Sequence, residues 1–210
     1  MKTSRTARGV RRVEIVLWCL GVSLLGGALA AVVHSRVYQA RQGRAFSVLQ
    51  ARAAGQASGA AASRGGVAAR PDLRLPEADP LLLGRIEIPR IGLSAIVREG
   101  DDNATLAVAV GHVPGPARPG ERGNMALAGH RDSFFRPLRQ IRVGDLIRFD
   151  APGRRYEYRV DSTEVIGPEE TRVLAPPGDA VLTLVTCYPF GYVGRAPNRF
   201  IVRASARSPR

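Results

Sequence analysis

Between residues 82 and 204 the chain alternates short apolar runs with turns rich in glycine and proline. In one run Tyr156, Tyr158 and Val160 are separated by charged residues, which is the two-residue period of a half-buried strand. The Pro152-Gly153 pair predicts a hairpin turn just before this run. Strands at this spacing with few helices indicate a closed barrel or a sandwich. The predicted strands are 84–88, 94–98, 124–128, 145–149, 155–160, 180–187 and 199–204.

Only short helices interrupt these strands. A helix is predicted over 103–110, capped by Asp102 or Asn103, and a further helical turn over 133–140. The roughly 130 residues of this region are enough for one hydrophobic core. The sequence therefore predicts an all-β domain with short helices.

Residues 15–33 form an uncharged apolar run of 19 residues, just long enough to cross a membrane. More basic residues precede the run than follow it, so the positive-inside rule places the N-terminus in the cytoplasm and the bulk of the chain outside. A cleavable signal peptide ending at Ala28-Leu-Ala30 is the alternative. We favour a retained anchor because the apolar run continues past that site. The prediction is a basic cytoplasmic tail at 1–12 and a transmembrane signal anchor at 13–34.

Residues 35–80 are predicted to be a stalk between the anchor and the folded domain. Residues 37–54 are compatible with a helix leaving the membrane, but 55–70 are small and of low complexity. Such a segment cannot bury enough apolar surface to fold alone, which predicts a flexible linker. The folded domain is predicted at 81–206.

The net charge of +13 is unevenly distributed. Residues 1–70 carry a net charge of +10, and residues 71–210 carry only +3. A nucleic-acid-binding domain concentrates basic charge on its folded surface. The sequence therefore argues against a nucleic-acid partner.

Cys187 is the only cysteine after the apolar run, and Cys19 lies within that run. An exported thiol without a pairing partner calls for a chemical reason, and we interpret it as a nucleophile. The alternative is a small buried apolar residue. If the strands on either side of 188–198 pair antiparallel, Cys187 faces Arg199, which could stabilise an oxyanion. The alternative for Arg199 is a surface arginine on an edge strand.

His130 follows an apolar strand that ends at Gly129, a typical position for a catalytic side chain. It is a candidate general acid or base for the thiol, although a lone histidine is often structural. His112 lies in a turn-rich segment, where its imidazole could brace a loop. The spacing of His112, His130 and Cys187 matches no standard zinc pattern, so neither a metal nor a cofactor is expected.

Three segments resemble the signatures of sortases, the bacterial cysteine transpeptidases. Residues 183–187, Thr-Leu-Val-Thr-Cys, are similar to the TLxTC motif; 128–132, Ala-Gly-His-Arg-Asp, to the segment of the essential histidine; and 196–200, Ala-Pro-Asn-Arg-Phe, to that of the essential arginine. The sequence around His130 together with Thr-Cys-Tyr-Pro-Phe at 186–190 is most like class D sortases. The resemblance spans about residues 82–204.

The resemblance implies an eight-stranded sortase-type β-barrel with a surface groove. It assigns His130 to proton transfer, Cys187 to nucleophilic attack and Arg199 to stabilising the oxyanion or the substrate. Arg195 is the alternative arginine, but the motif and the outward face of the strand favour Arg199. The family cleaves a C-terminal sorting signal of the LPxTG type between Thr and Gly through a thioacyl-enzyme. An amine acceptor, either a peptidoglycan precursor or a pilin lysine, then receives the acyl group.

Two other functions remain open. The chain could be an anchored cysteine protease, which would hydrolyse its substrate even with amines present, or a non-catalytic β-domain that binds at the cell surface. The connections at 162–179 and 188–198 are long for β connections and are the expected specificity elements.

Overall fold

The structure, a computed structural model, describes residues 3–59, 78–115, 117–175 and 178–207. Eight strands and two α-helices make up most of these residues, with 3-10 helices at Pro89–Ile91, Arg136–Gln140 and Arg172–Leu174. In chain order the elements are α1 (Thr3–Gly59), β1 (Leu82–Ile88), β2 (Leu93–Glu99), α2 (Asn103–Val108), β3 (Val110–His112), β4 (Gly123–Ala128), β5 (Leu146–Ala151), β6 (Arg154–Ile166), β7 (Ala180–Tyr188) and β8 (Asn198–Ala206).

The strands close into one barrel in the order β1-β2-β3-β4-β7-β8-β6-β5. Strand β5 pairs with β1 to complete the ring. Two neighbouring pairs, β2 with β3 and β4 with β7, are parallel, and the others are antiparallel. The expected eight-stranded barrel is therefore confirmed.

The barrel interior holds the main hydrophobic core. Alternate residues of each strand point inward, as the two-residue period requires; examples are Ile86 and Ile88 of β1 and Leu182 and Leu184 of β7. Phe135 also packs into this core from the loop after β4. The regular alternation means that the opposite face of each strand is available for a surface site.

The limits of several elements differ from those predicted. Strand β3 has only three residues, too few to give a period in the sequence. Strand β6 continues to Ile166, so the connection to β7 begins at Gly167 and not at Ser162 as predicted. The turn at Pro152-Gly153 is confirmed, and Gly153 has a φ of 77° that favours glycine. Helix α2 is capped by Asp102, whose carboxylate accepts hydrogen bonds from two amides of the first turn.

Helix α1 joins the apolar N-terminal segment to the barrel. It is long and apolar enough to cross a membrane, and its large apolar side chains from Ile15 to Val33 are exposed. Residues 35–59, predicted to be stalk, form the second half of this helix. Residues 60–77 of the predicted stalk lie outside the described residues, and the flexible linker expected there stays a prediction.

The second half of α1 packs on the barrel through one stripe of its surface. The Gln39 side chain accepts a hydrogen bond from the Ile96 amide (2.9 Å) and donates one to the Val108 carbonyl (2.7 Å). Phe46 is only 2% exposed, and the guanidinium carbon of Arg85 lies 5.8 Å from the centre of its ring. Because β3 pairs only with residues 97–99, the Ile96 amide lies just beyond it, and Gln39 takes the place of a strand partner there.

Candidate active site

The three candidate catalytic residues lie at one end of three neighbouring strands. Cys187 of β7 and Arg199 of β8 are register partners, which confirms the predicted antiparallel pairing. On the other side β7 lies parallel to β4, and the Gly129 amide after β4 donates to the Val185 carbonyl at 3.1 Å. His130 follows directly, so strand pairing alone brings it beside the end of β7 that carries Cys187.

Cys187 and Arg199 belong to the outer face of the barrel. Leu184 of β7 and Val202 of β8 point into the core, so the residues an odd number of positions away point outward. Two outward residues, Val185 and Ile201, pack with Val173 of the β6–β7 connection. The site therefore lies in a surface groove that this connection borders, and the barrel interior is filled by the core.

A cleft of about 490 Å³ joins the three candidates. Its walls come from the segment after β4, the β6–β7 connection and the β7–β8 connection. They carry three arginines and two carboxylates besides the thiol and the imidazole. The lining residues are His130, Arg131, Asp132, Pro168, Glu169, Cys187, Gly194, Arg195, Ala196 and Arg199.

The Arg199 side chain is half-buried and held by main-chain carbonyls. Its Nη1 donates to the Asn198 carbonyl at 3.1 Å and to the Ala196 carbonyl at 3.4 Å. No carboxylate of the described residues forms an ion pair with it, so its charge is not neutralised by a neighbour. A fixed, unpaired guanidinium beside a thiol is suited to stabilise negative charge on a substrate oxygen.

Thr186 links the histidine segment to the cysteine strand. Its buried hydroxyl donates to the Gly129 carbonyl at 2.7 Å, so it fixes the residue just before His130. On the same inward face of the strands, Phe200 contacts two aromatic rings, with centroid distances of 6.2 Å to Tyr188 and 5.4 Å to Phe190. These contacts fix the ends of β7 and β8 from behind the site.

Asn124 ties the β6–β7 connection to the barrel. It is buried, its Nδ2 donates to the Val173 carbonyl at 2.7 Å, and its Oδ1 accepts from the Thr183 hydroxyl at 2.7 Å. A polar side chain at this depth is stable only when it is hydrogen-bonded. The network therefore determines where the wall formed by Pro168 and Glu169 lies.

The other candidates are placed differently. His112 is buried, and its two ring nitrogens lie 3.0 Å from a Glu99 carboxylate oxygen and 3.2 Å from the Ala117 carbonyl, so the loop-bracing role is confirmed. Arg195 is exposed on the β7–β8 connection but lines the cleft. Across the described parts of the chain, no group of three or more His, Cys, Asp or Glu side chains could hold a metal ion.

Thr186 and Arg131 were not singled out from the sequence. Thr186 shares the inward face of β7 with Leu182 and Leu184, and a buried polar residue in such a position indicates a hydrogen-bond partner. Arg131 had no comparable signal, because its partners are carbonyls of a loop whose path the sequence does not determine. The expected specificity elements at 162–179 and 188–198 each contribute residues to the cleft.

Comparison with known proteins places the fold and these motifs in one family. A family model described as a sortase domain matches residues 86–207. The chain is 35% identical over 120 residues to sortase D of Bacillus subtilis (strain 168), a match that covers 57% of this chain and 61% of the relative. The chain thus spans less than two thirds of the length of this curated relative.

Solved structures agree with this assignment. A Clostridium perfringens sortase D5 transpeptidase is 30% identical, with a TM-score of 0.55 over 60% of this chain and 79% of its own. A Clostridium perfringens sortase C, solved with the C-terminal cell wall sorting motif, is 27% identical, with a TM-score of 0.57 over 64% of this chain and 77% of its own. The expected likeness to class D sortases is confirmed.

Proposed function

This chain belongs to the sortase family, and we propose that it is a membrane-anchored cysteine transpeptidase. It cleaves a sorting signal of the LPxTG type through a thioacyl-enzyme on Cys187 and transfers the acyl group to an amine. The observation that carries the proposal is the convergence of three residues on one surface cleft: His130 from the segment after β4, Cys187 from β7 and Arg199 from β8. A structural cysteine would have no need of this neighbourhood.

In the first half of the reaction, the Cys187 sulfur, whose proton has passed to His130, attacks the carbonyl carbon of the scissile peptide bond. The carbonyl π electrons move to oxygen, and the resulting oxyanion is stabilised by the Arg199 guanidinium. When the tetrahedral species collapses, the carbon–nitrogen bond breaks and His130 donates a proton to the departing amine. The acyl group remains on sulfur as a thioester.

In the second half, an amine replaces the departed one. Its nitrogen attacks the thioester carbonyl, Arg199 again stabilises the oxyanion, and His130 accepts the proton that the nitrogen loses. The carbon–sulfur bond then breaks, so the product is a new amide and the cysteine is regenerated. Attack by water would give an acid instead, which is the hydrolytic outcome.

The proposed partners follow from the same chemistry. The substrate is a protein with a C-terminal sorting signal, and the solved sortase C with such a motif supports this class of substrate. The acceptor is an amine of a peptidoglycan precursor or of a pilin lysine. The exposed apolar part of α1 supports a single-pass anchor. The greater number of basic residues before the apolar run supports an N-terminus in the cytoplasm and a barrel outside.

The test is product analysis with the full chain in detergent micelles. LPxTG-like peptides are incubated with and without an added amine, using wild type, Cys187→Ala and Cys19→Ala. Cys19→Ala is the matched control because Cys19 is the other free cysteine and lies in the apolar part of α1.

The proposal predicts an amide product that depends on the added amine, is lost in Cys187→Ala and is retained in Cys19→Ala. Hydrolysis that amines do not divert would assign the chain to the cysteine proteases. A chain that processes no peptide in either condition would favour a non-catalytic binding domain.

A further inference from the structure

Arg131 makes contacts that the reaction scheme does not use. It follows His130, and its Nη2 donates to two carbonyls of the β7–β8 connection, that of Tyr192 at 2.6 Å and that of Gly194 at 3.0 Å. Its guanidinium carbon also lies 5.9 Å from the centre of the Tyr192 ring. One side chain therefore binds the histidine segment to the connection by two charge-assisted hydrogen bonds and a cation–π contact.

The β7–β8 connection has little else to hold it at this point. Tyr192 is 48% exposed and Val193 is 94% exposed. Within the connection the Tyr192 amide donates to the Pro189 carbonyl at 3.3 Å, a long hydrogen bond. The three residues that follow Val193, namely Gly194, Arg195 and Ala196, form one wall of the cleft. Arg131 thus holds the start of that wall at Gly194, whereas its end at Ala196 is held by Arg199 at 3.4 Å.

The guanidinium keeps one unused donor. Its Nη1 is buried, and none of the described residues accepts a hydrogen bond from it. A buried N–H group without an acceptor is costly, and Arg131 itself lines the cleft. Because this nitrogen is covered by the protein, the contacts of Arg131 with the β7–β8 connection must offset the cost of burying it.

We propose that Arg131 is a positioning residue that fastens the β7–β8 connection beside His130 and thereby places the wall of the cleft against which the sorting peptide binds. The identity of the peptide in this proposal rests on the proposed function. The fastening of the β7–β8 connection rests only on the contacts of Arg131. The residue acts through the shape of the cleft and takes no part in the proton or acyl transfer. Its loss should therefore weaken peptide binding more than it slows the chemical step.

The test compares Arg131→Ala and Arg131→Lys with the wild type in the full chain in micelles. Lysine keeps the charge but lacks the planar guanidinium that lies near the Tyr192 ring. Arg139→Ala is the matched control, because Arg139 is an exposed arginine of the same loop region that does not line the cleft. Three quantities are measured: amide hydrogen exchange of 189–197, KM and kcat for an LPxTG-like peptide, and alkylation of Cys187 by iodoacetamide.

In Arg131→Ala we expect amide hydrogen exchange of 189–197 to be faster by about tenfold or more, and KM to be higher by about tenfold. The reason is that each charged hydrogen bond is worth about that factor. Exchange of β7 and β8 and the alkylation rate of Cys187 should stay near wild type. Arg131→Lys should give an exchange rate and a KM between those of Arg131→Ala and the wild type. Arg139→Ala should match the wild type in both.

If amide hydrogen exchange of 189–197 is unchanged in Arg131→Ala, the proposal that Arg131 fastens the β7–β8 connection is wrong. A loss in kcat with KM unchanged would overturn the role in peptide binding. Failure of the proposed function looks different: the wild type would process no sorting peptide, while the exchange comparison would still decide whether Arg131 holds the connection.

Discussion

At the scale of residues, the relative positions of Cys187 and Arg199 could be predicted because they follow from strand alternation and pairing. The antiparallel pairing of Cys187 with Arg199 required only that two apolar runs pair across one connection, and the register confirms it. The inward position of Phe200 likewise places Arg199 on the outer face. Strand alternation does not encode the contacts of loops. The contacts of Arg131 with the β7–β8 connection were therefore seen only in the structure.

Arg199→Ala should reduce kcat by about 10²- to 10³-fold, the loss typical when one oxyanion donor is removed. Arg195→Ala should reduce kcat/KM by about tenfold or less, because Arg195 is exposed and borders the cleft only from the connection. Steady-state kinetics with one peptide and one amine measure both. If Arg195→Ala loses more kcat/KM than Arg199→Ala, the roles assigned to the two arginines must be exchanged.

Asp145 gives the chain a pH-dependent element of stability. The hydrogen bond from the Arg90 guanidinium lowers the pKa of this carboxyl, and the Nη2 of Arg90 lies 2.6 Å from its Oδ2. Because the folded pKa lies below the unfolded one, the stabilisation is complete above about pH 4 to 5 and is lost as the pH falls through the folded pKa.

Asp145→Asn should therefore lower the thermal midpoint at pH 7 and make it less dependent on pH between about pH 5 and 2. Thermal unfolding of wild type and variant at several pH values tests this. If the thermal midpoint falls equally with decreasing pH in both proteins, Asp145 does not contribute in this way.

At the scale of elements, prediction succeeded where a period was long enough to read. Seven of the eight strands have apolar runs, whereas β3 has three residues and depends on its neighbours in the sheet. The end of β6 was missed because Ser162, Thr163 and Glu164 are polar and a bulge shifts the register just before them. Their main-chain pairing with β8, and not their side chains, keeps them in the sheet.

A helix over 37–54 was compatible with the sequence, but its packing on the folded domain departs from the expected stalk. Its buried and half-buried positions include 38, 39, 42, 45, 46, 49 and 53, a spacing of three to four residues that marks one helix face. The stripe contains Tyr38, which donates to Asp79, and Gln39, which bonds to the main chain at Ile96 and Val108. Such a face does not look apolar in the sequence, although it becomes buried in the folded protein.

Gln39→Ala should loosen this contact, because it leaves the Ile96 amide and the Val108 carbonyl without their partner. We expect exchange of the Ile96 amide to rise by about tenfold, the factor for one lost hydrogen bond. Arg41→Ala, which changes an exposed residue of the same helix, should leave it unchanged. Equal exchange in the two variants would mean that α1 does not protect β2.

Asn124 tests the attachment of the β6–β7 connection. Asn124→Ala removes two buried hydrogen bonds and should lower the free energy of unfolding by about 2–4 kcal/mol. The exposed Asn103→Ala should change it by about 0.5 kcal/mol or less. Denaturant unfolding of the two variants provides the comparison, and equal midpoints would contradict the bridging role.

At the scale of the whole molecule, barrel closure brings together residues that lie far apart in the sequence. His130 and Cys187 are separated by 57 positions, and the parallel pairing of β4 with β7 brings their strands side by side. The residues alone left both a barrel and a sandwich open, and the resemblance to sortases decided between them. The reason is that closure depends on which strands become neighbours, and the strand pattern does not encode that order.

The central claim is that the acyl group passes through the sulfur of Cys187. The most direct test is intact-mass spectrometry of the full chain, quenched in acid during turnover of an LPxTG-like peptide, followed by mapping of any adduct. The account predicts an adduct equal to the acyl part of the peptide, located on Cys187, that disappears when an amine is added. An adduct on another residue, or turnover that persists in Cys187→Ala, would contradict it.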